Sequence, residues 1–190
     1  MGISLSFTEN EAYYINLQGE NIERLKALKP IIEDPKVKKI GHNIKYDLQV
    51  LKNYDIEIEG EIFDTMIASY LLNPENRQHN LDALSFSELN WEKISSNDLI
   101  PEKEKDFSKV DLEKLAIYSC EDADCTFKLK NVLEERLEKN NLEKIFNKME
   151  VPLIKILAEM ERNGILLDLN FLKELSKKML DFCLLFLYNL

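Results

Sequence analysis

The sequence predicts an α/β fold. Three observations carry that expectation: β-prone runs cluster early in the chain, two of them (37–41 and 61–63) lead into helical spacing, and the pattern is almost wholly helical from Asp111 onward. Strands first, with helices interspersed and then dominant, is the order expected when helices cover a sheet.

Each element has a local reason. Residues 2–7 and 12–17 are β-prone on either side of the polar Thr8-Glu9-Asn10-Glu11, which predicts an antiparallel hairpin. Ile22, Leu25 and Leu28 give residues 21–32 helical spacing, and Pro30 is expected to end that helix or force a new turn. Residues 37–41 read as a short buried strand, 43–53 as a helix, and 61–63 as a strand entering a helix over 64–72 for which Asp64 is the N-cap. Leu81, Leu84 and Leu89 mark a further helix, and 91–107 is polar and loop-rich. Beyond Asp111, an apolar stripe runs through Leu112, Leu115, Ala116, Cys120, Ala123, Phe127 and Leu133. A helix over 142–160 should stop at Asn163-Gly164, and the apolar 182–188 reads as one face of a terminal helix.

Composition excludes several classes. The chain has 190 residues, 45% of them apolar and few of them Gly or Pro, which suits one main core and neither a disordered nor a fibrous chain. No apolar run approaches the roughly 20 residues needed to cross a bilayer, and the first residues do not resemble a signal peptide, so no membrane association and a cytoplasmic location are expected. Cys120, Cys125 and Cys183 lack metal-ligand spacing and read as packing residues in a reducing compartment. A formal charge of −10 argues against broad tracking of phosphates by a basic surface, but it is compatible with a site where bound cations meet phosphate.

Two stretches carry chemistry, Gly41-His42-Asn43-Ile44-Lys45-Tyr46-Asp47 and Tyr118-Ser119-Cys120-Glu121-Asp122-Ala123-Asp124. Each offers a carboxylate with a polar residue four positions earlier, and such positions share a helix face. Asn43 should therefore stand beside Asp47, and Tyr118 beside Asp122. A solvated surface is the ordinary fate of any single Asp. Glu121 and Asp124 lie off the Tyr118–Asp122 face, so solvation or capping is expected for both. His42 and His79 share no metal spacing and should be packed or hydrogen-bonded.

These residues resemble the second and third motifs of the 3'-5' exonuclease domain of family A DNA polymerases, the DNA polymerase I type. That domain belongs to the wider DEDD exonucleases with a tyrosine in the last motif. The resemblance continues through Phe63-Asp64-Thr65-Met66-Ile67-Ala68-Ser69-Tyr70-Leu71-Leu72-Asn73, His79-Asn80-Leu81-Asp82-Ala83-Leu84, Met149-Glu150-Val151-Pro152-Leu153 and Met160-Glu161-Arg162-Asn163-Gly164-Ile165. It implies a ribonuclease H-like exonuclease fold lacking its first strand, because the family's Asp-x-Glu motif precedes the segment that residues 2–7 resemble. The missing strand would leave a slot in the sheet. The implied domains are an incomplete exonuclease-like domain over 1–140 and a helical junction over 141–190, leading toward a polymerase domain that is absent.

The same resemblance implies two-metal hydrolysis of phosphodiesters at single-stranded DNA 3' ends, with Mg²⁺ or Mn²⁺ as cofactor. Asp47 and Asp122 match metal ligands, Tyr118 matches the residue that orients the attacking water, and Asn43 and Tyr46 match positions near the terminal nucleotides. Lys45 and Arg77 are candidate phosphate contacts, with Gln78 standing where the family often has arginine. Two other readings stay open: a ribonuclease D-like RNA exonuclease, and a non-catalytic nucleic-acid-binding or scaffold fragment. A separate chain supplying the missing strand is a further candidate partner.

Overall fold

A computed structural model describes residues 2–99 and 110–188. The hairpin forms as expected: β1 (Gly2–Thr8) pairs antiparallel with β2 (Glu11–Asn16), placing Ile3 opposite Ile15 and Leu5 opposite Tyr13. The register slips between Ser6 and Thr8, and Asn10 turns the chain at φ 66°.

Helix α1 (Glu23–Ile32) follows a short 3-10 turn and contains Pro30, where the sequence predicts an end. The ring is tolerated because it sits two residues from the C-terminus and forfeits a single backbone bond, after which the Glu33 amide closes the helix on the Lys29 carbonyl at 2.9 Å.

Next, β3 (Lys39–Gly41) leads into α2 (Ile44–Lys52), and β4 (Ile62–Asp64) leads into α3 (Thr65–Leu72). The two strands pair in parallel, with Gly41 opposite Asp64, so both following helices start at the same end of the sheet. Gly41 is required there by close approach: a Cβ would stand 2.9 Å from the Cβ of Ile44.

Helix α4 (Leu81–Leu89) is capped by Asn80, whose side chain accepts from the Ala83 amide. The polar stretch after it includes a short helix, α5 (Ser96–Leu99), and the remainder of the loop expected over 91–107 lies outside the described residues.

Helix α6 (Leu112–Lys139) spans the unit, capped by Asp111. Its buried line is Cys125, Leu129, Leu133 and Leu137, whereas Leu112 is exposed. The expected stripe through Ala123 and Phe127 is only half-buried, because that side faces a cavity.

Phe63, Ala68, Leu84 and the buried α6 residues make one core cluster with Phe146, whose ring lies 4.9 Å from that of Phe63. Leu17, Leu25, Ile44, Leu51, Ile62 and Ile154 make a second. Helix α7 (Glu143–Ile145) passes through a π-helical turn, Phe146–Glu150, into α8 (Val151–Asn163). The sequence predicts one uninterrupted helix here. The wider turn coincides with the point where Phe146 enters the core. Gly164, at φ 67°, donates its amide to the Met160 carbonyl and ends α8 as expected.

The chain divides into two compact units, residues 1–159 and 160–190. The second holds α9 (Leu169–Tyr188), and within it Cys183 is exposed rather than packed. Among the described residues, no helix is long and apolar enough to cross a membrane.

Candidate active site

The site begins with Asp64, which is buried at the end of β4. Its carboxylate accepts four backbone amides: Met66 at 2.9 Å and Ile67 at 3.2 Å from α3, and Asn43 at 3.2 Å and Ile44 at 2.8 Å at the start of α2. The expected N-cap therefore serves two helix N-termini at once, which suits an anion.

Asn43 itself sits outside α2, in a left-handed conformation at φ 60°. The shared-face expectation for Asn43 and Asp47 fails for that reason, since the helical spacing starts one residue later. Tyr46 is 65% exposed, and Lys45 is half-buried on the same turn.

Asp47 and Asp122 both line one cavity of about 690 Å³, together with residues of β1, β3 and α6. Asp47 keeps an open side toward solvent, yet the surrounding protein strips enough water to push its carboxyl up to about 6, with the Asp64 charge adding to the effect. His42 lines the same cavity, and its Nδ1 is 2.9 Å from the Thr65 hydroxyl. Burial pulls its pKa down.

On α6, Tyr118 hydrogen-bonds Asp122 one turn away, as the spacing predicts. Burial, reinforced by the Asp122 charge, pushes the Tyr118 phenol up to about 12. Burial also raises the Asp122 carboxyl, against the pull of Lys93 and Tyr118. The Lys93 ammonium meets Asp122 Oδ1 at 2.8 Å and Asp82 Oδ1 at 2.6 Å. Burial works against that ammonium, but its contacts with the two acids outweigh it and hold its pKa above the ordinary value.

Sequence reasoning missed Lys93 and Asp82. The contacts join residues far apart in the chain, and no periodic signal marks them.

Other candidates fall elsewhere. Arg77 and Gln78 are exposed in the turn between α3 and α4, where Gln78 bonds Asn76. Glu121 and Asp124 are neither solvated nor caps. Glu121 accepts the Ile94 amide at 2.7 Å, and Asp124 accepts the Asn10 amide at 2.7 Å and pairs with Lys128, pinning the hairpin turn to α6. His79 is hydrogen-bonded as expected: its Nε2 lies 2.8 Å from the Asn76 carbonyl, so Nε2 donates there and Nδ1 accepts from Ser69.

Asp47 and Asp122 both line this cavity, and their carboxylate oxygens are the donor type that suits a hard divalent cation. They are only part of a donor set: no group of three or more candidate ligands occurs among the described residues.

An α/β domain with a cavity beside the ends of parallel strands belongs to the class that binds ligands in such a crevice. A family profile described as 3'-5' exonuclease matches residues 1–138. The chain belongs to that family, the 3'-5' exonuclease of DNA polymerase I. It is 36% identical to DNA polymerase I of Pseudomonas aeruginosa over 94% of its length and 38% identical to that of Borreliella burgdorferi over 91%. It spans only 22% and 19% of those relatives.

Among solved structures, it resembles the POL domain of Pol1 from M. smegmatis in complex with DNA primer-template and dNTP. The TM-score is 0.71 at 25% identity, covering 90% of this chain and 27% of that one. Brucella melitensis NrnC with bound Mg²⁺ shares the fold, with a TM-score of 0.58 at 24% identity over 77% of this chain and 66% of that one.

Proposed function

We propose that this chain is the proofreading exonuclease region of a DNA polymerase I-like protein, removing nucleotides from single-stranded DNA 3' ends in the cytoplasm. The observation that carries the reading is that Asp47 and Asp122, from separate elements, face one cavity. Mg²⁺ or Mn²⁺ held there would activate water and neutralise the leaving oxygen. Asp47 and Asp122 would be its ligands. Tyr118 remains protonated through the neutral range, so it holds the attacking water by hydrogen bonding and does not remove its proton. Asn43 and Tyr46 flank Asp47 at the mouth of α2 and meet the terminal nucleotides, and Lys45 on the same turn contacts phosphate. Arg77 and Gln78 contact the phosphates further along the strand.

The domain reading extends the same proposal, with 1–140 as the exonuclease-like domain and 141–190 as the helical junction. Its fold is a ribonuclease H-like sheet with one strand to be supplied. In support, β1–β2 and β3–β4 form separate two-stranded sheets, and both β1 and β3 line the cavity. A strand seated between them would pair both free edges.

The test is Mn²⁺-dependent nucleotide release from single-stranded DNA and RNA, with and without a supplied segment carrying an Asp-x-Glu pair. Asp47→Ala and Asp122→Ala should each lower release from DNA by about a hundredfold or more, the usual cost of losing a directly acting group. Release untouched by both substitutions would overturn the site. Preferential release from RNA would favour the ribonuclease D-like reading, and binding without release would favour a scaffold.

A further inference from the structure

Lys93 follows α4, outside every motif that the sequence singles out, and its side chain is only 1% exposed. Three oxygens surround its ammonium: Asp82 Oδ1 at 2.6 Å, Asp122 Oδ1 at 2.8 Å and the Ile94 carbonyl at 3.0 Å. The Tyr118 ring closes another side, its centroid 4.9 Å from Nζ. This is the shell of a cation, filled by the protein's own positive charge. Asp122 Oδ1 is itself buried and makes no aligned hydrogen bond, so its contact with Lys93 is ionic. A second cation approaching that oxygen would meet the ammonium head-on.

We infer that Lys93 is a positioning residue: its ammonium commits Asp122 Oδ1 and the Asp82 carboxylate, so that a divalent cation meets Asp122 only through the other oxygen. Asp82 is thereby silenced as a competing ligand, and Tyr118 is held against the same group. Asp122 lines the cavity and Asp82 does not, so the lysine selects the cation position at Asp122 over one at Asp82. The inference rests on Asp122 being a cation ligand.

The test measures Mn²⁺ affinity of the whole chain by electron paramagnetic resonance, with thermal unfolding followed in parallel. Asp122→Ala should weaken binding, whereas Asp82→Asn should leave it within about twofold, because Lys93 already neutralises that acid. Lys93→Met should bind Mn²⁺ about tenfold more tightly, since the vacated shell offers both acids to the ion. Adding Asp82→Asn to Lys93→Met should cancel that gain, and Lys93→Arg should behave as the natural chain does. A lysine with a merely structural role predicts a lower unfolding midpoint in Lys93→Met and no gain that depends on Asp82.

Lys93→Met binding no more tightly than the natural chain, or a gain that survives Asp82→Asn, overturns the inference. If Lys93→Met loses its helical signal, the single variants decide. Asp82→Asn weakening Mn²⁺ as much as Asp122→Ala then overturns it, and Asp82→Asn within twofold supports it. An Asp122→Ala chain with unchanged affinity instead removes Asp122 as a ligand, which is the failure of the parent reading.

Discussion

At the scale of single residues, Asp47 shows a charge held at a cost to the fold. Its carboxyl is raised to about 6 in the folded chain and sits near 3.9 in an unfolded one. The folded state therefore binds the extra proton between those values, and the stability this lends is present at low pH and lost as pH rises through about 6. Asp47→Asn should raise the melting temperature at pH 7.5 by on the order of 2 °C, a modest gain because the group keeps solvent contact. At pH 4 the two proteins should melt together. A cation at the site reverses the penalty, so Mg²⁺ or Mn²⁺ should stabilise the natural chain at pH 7.5 and lose that effect as pH falls through about 6. Thermal unfolding in a series of buffers checks both outcomes.

Among elements, Asp64 joins two helix starts to the end of β4 by four backbone amides. Asp64→Ala leaves those donors buried and should cost about 3 kcal/mol in urea unfolding, more than an ordinary helix cap, whereas Asp64→Asn keeps an acceptor and should cost less. Helix α6 depends instead on shape. Leu129 is fully buried in the cluster that includes Phe63, Ala68 and Leu84, so Leu129→Ala should cost about 2–5 kcal/mol through lost contacts and a residual cavity. Its opposite side, at Ala123 and Phe127, packs less because it borders the cavity. The sequence shows which α6 positions are apolar, but both sides of the helix carry such residues, so periodicity alone does not say which side is fully covered. The π-helical turn at Phe146–Glu150 is equally silent in the sequence, since one extra residue in a turn is set by where Phe146 must pack.

For the whole molecule, the chain carries a formal charge of −10, and two acids, Asp47 and Asp122, are among the residues lining the cavity. Binding to single-stranded DNA should accordingly be weak in a chelator and strengthen when Mn²⁺ is added, and a fluorescence-anisotropy titration in both conditions measures the difference. Under the proposed completion of the sheet, co-expression with a segment carrying an Asp-x-Glu pair should raise soluble yield and cleavage together. No gain in either would count against the slot between β1 and β3.

The sequence by itself determined the order of strands and helices, the Asp64 cap, the Gly164 stop, and the family, because each rests on short-range patterns or on motifs kept in order. Tertiary structure alone decided that Asp47 and Asp122 face one cavity, that Asp124 holds the hairpin turn, and that Lys93 is the cation beside Asp122. Those facts join residues distant along the chain, whose side chains meet only when burial of the two apolar clusters fixes how the helices lie on the strands.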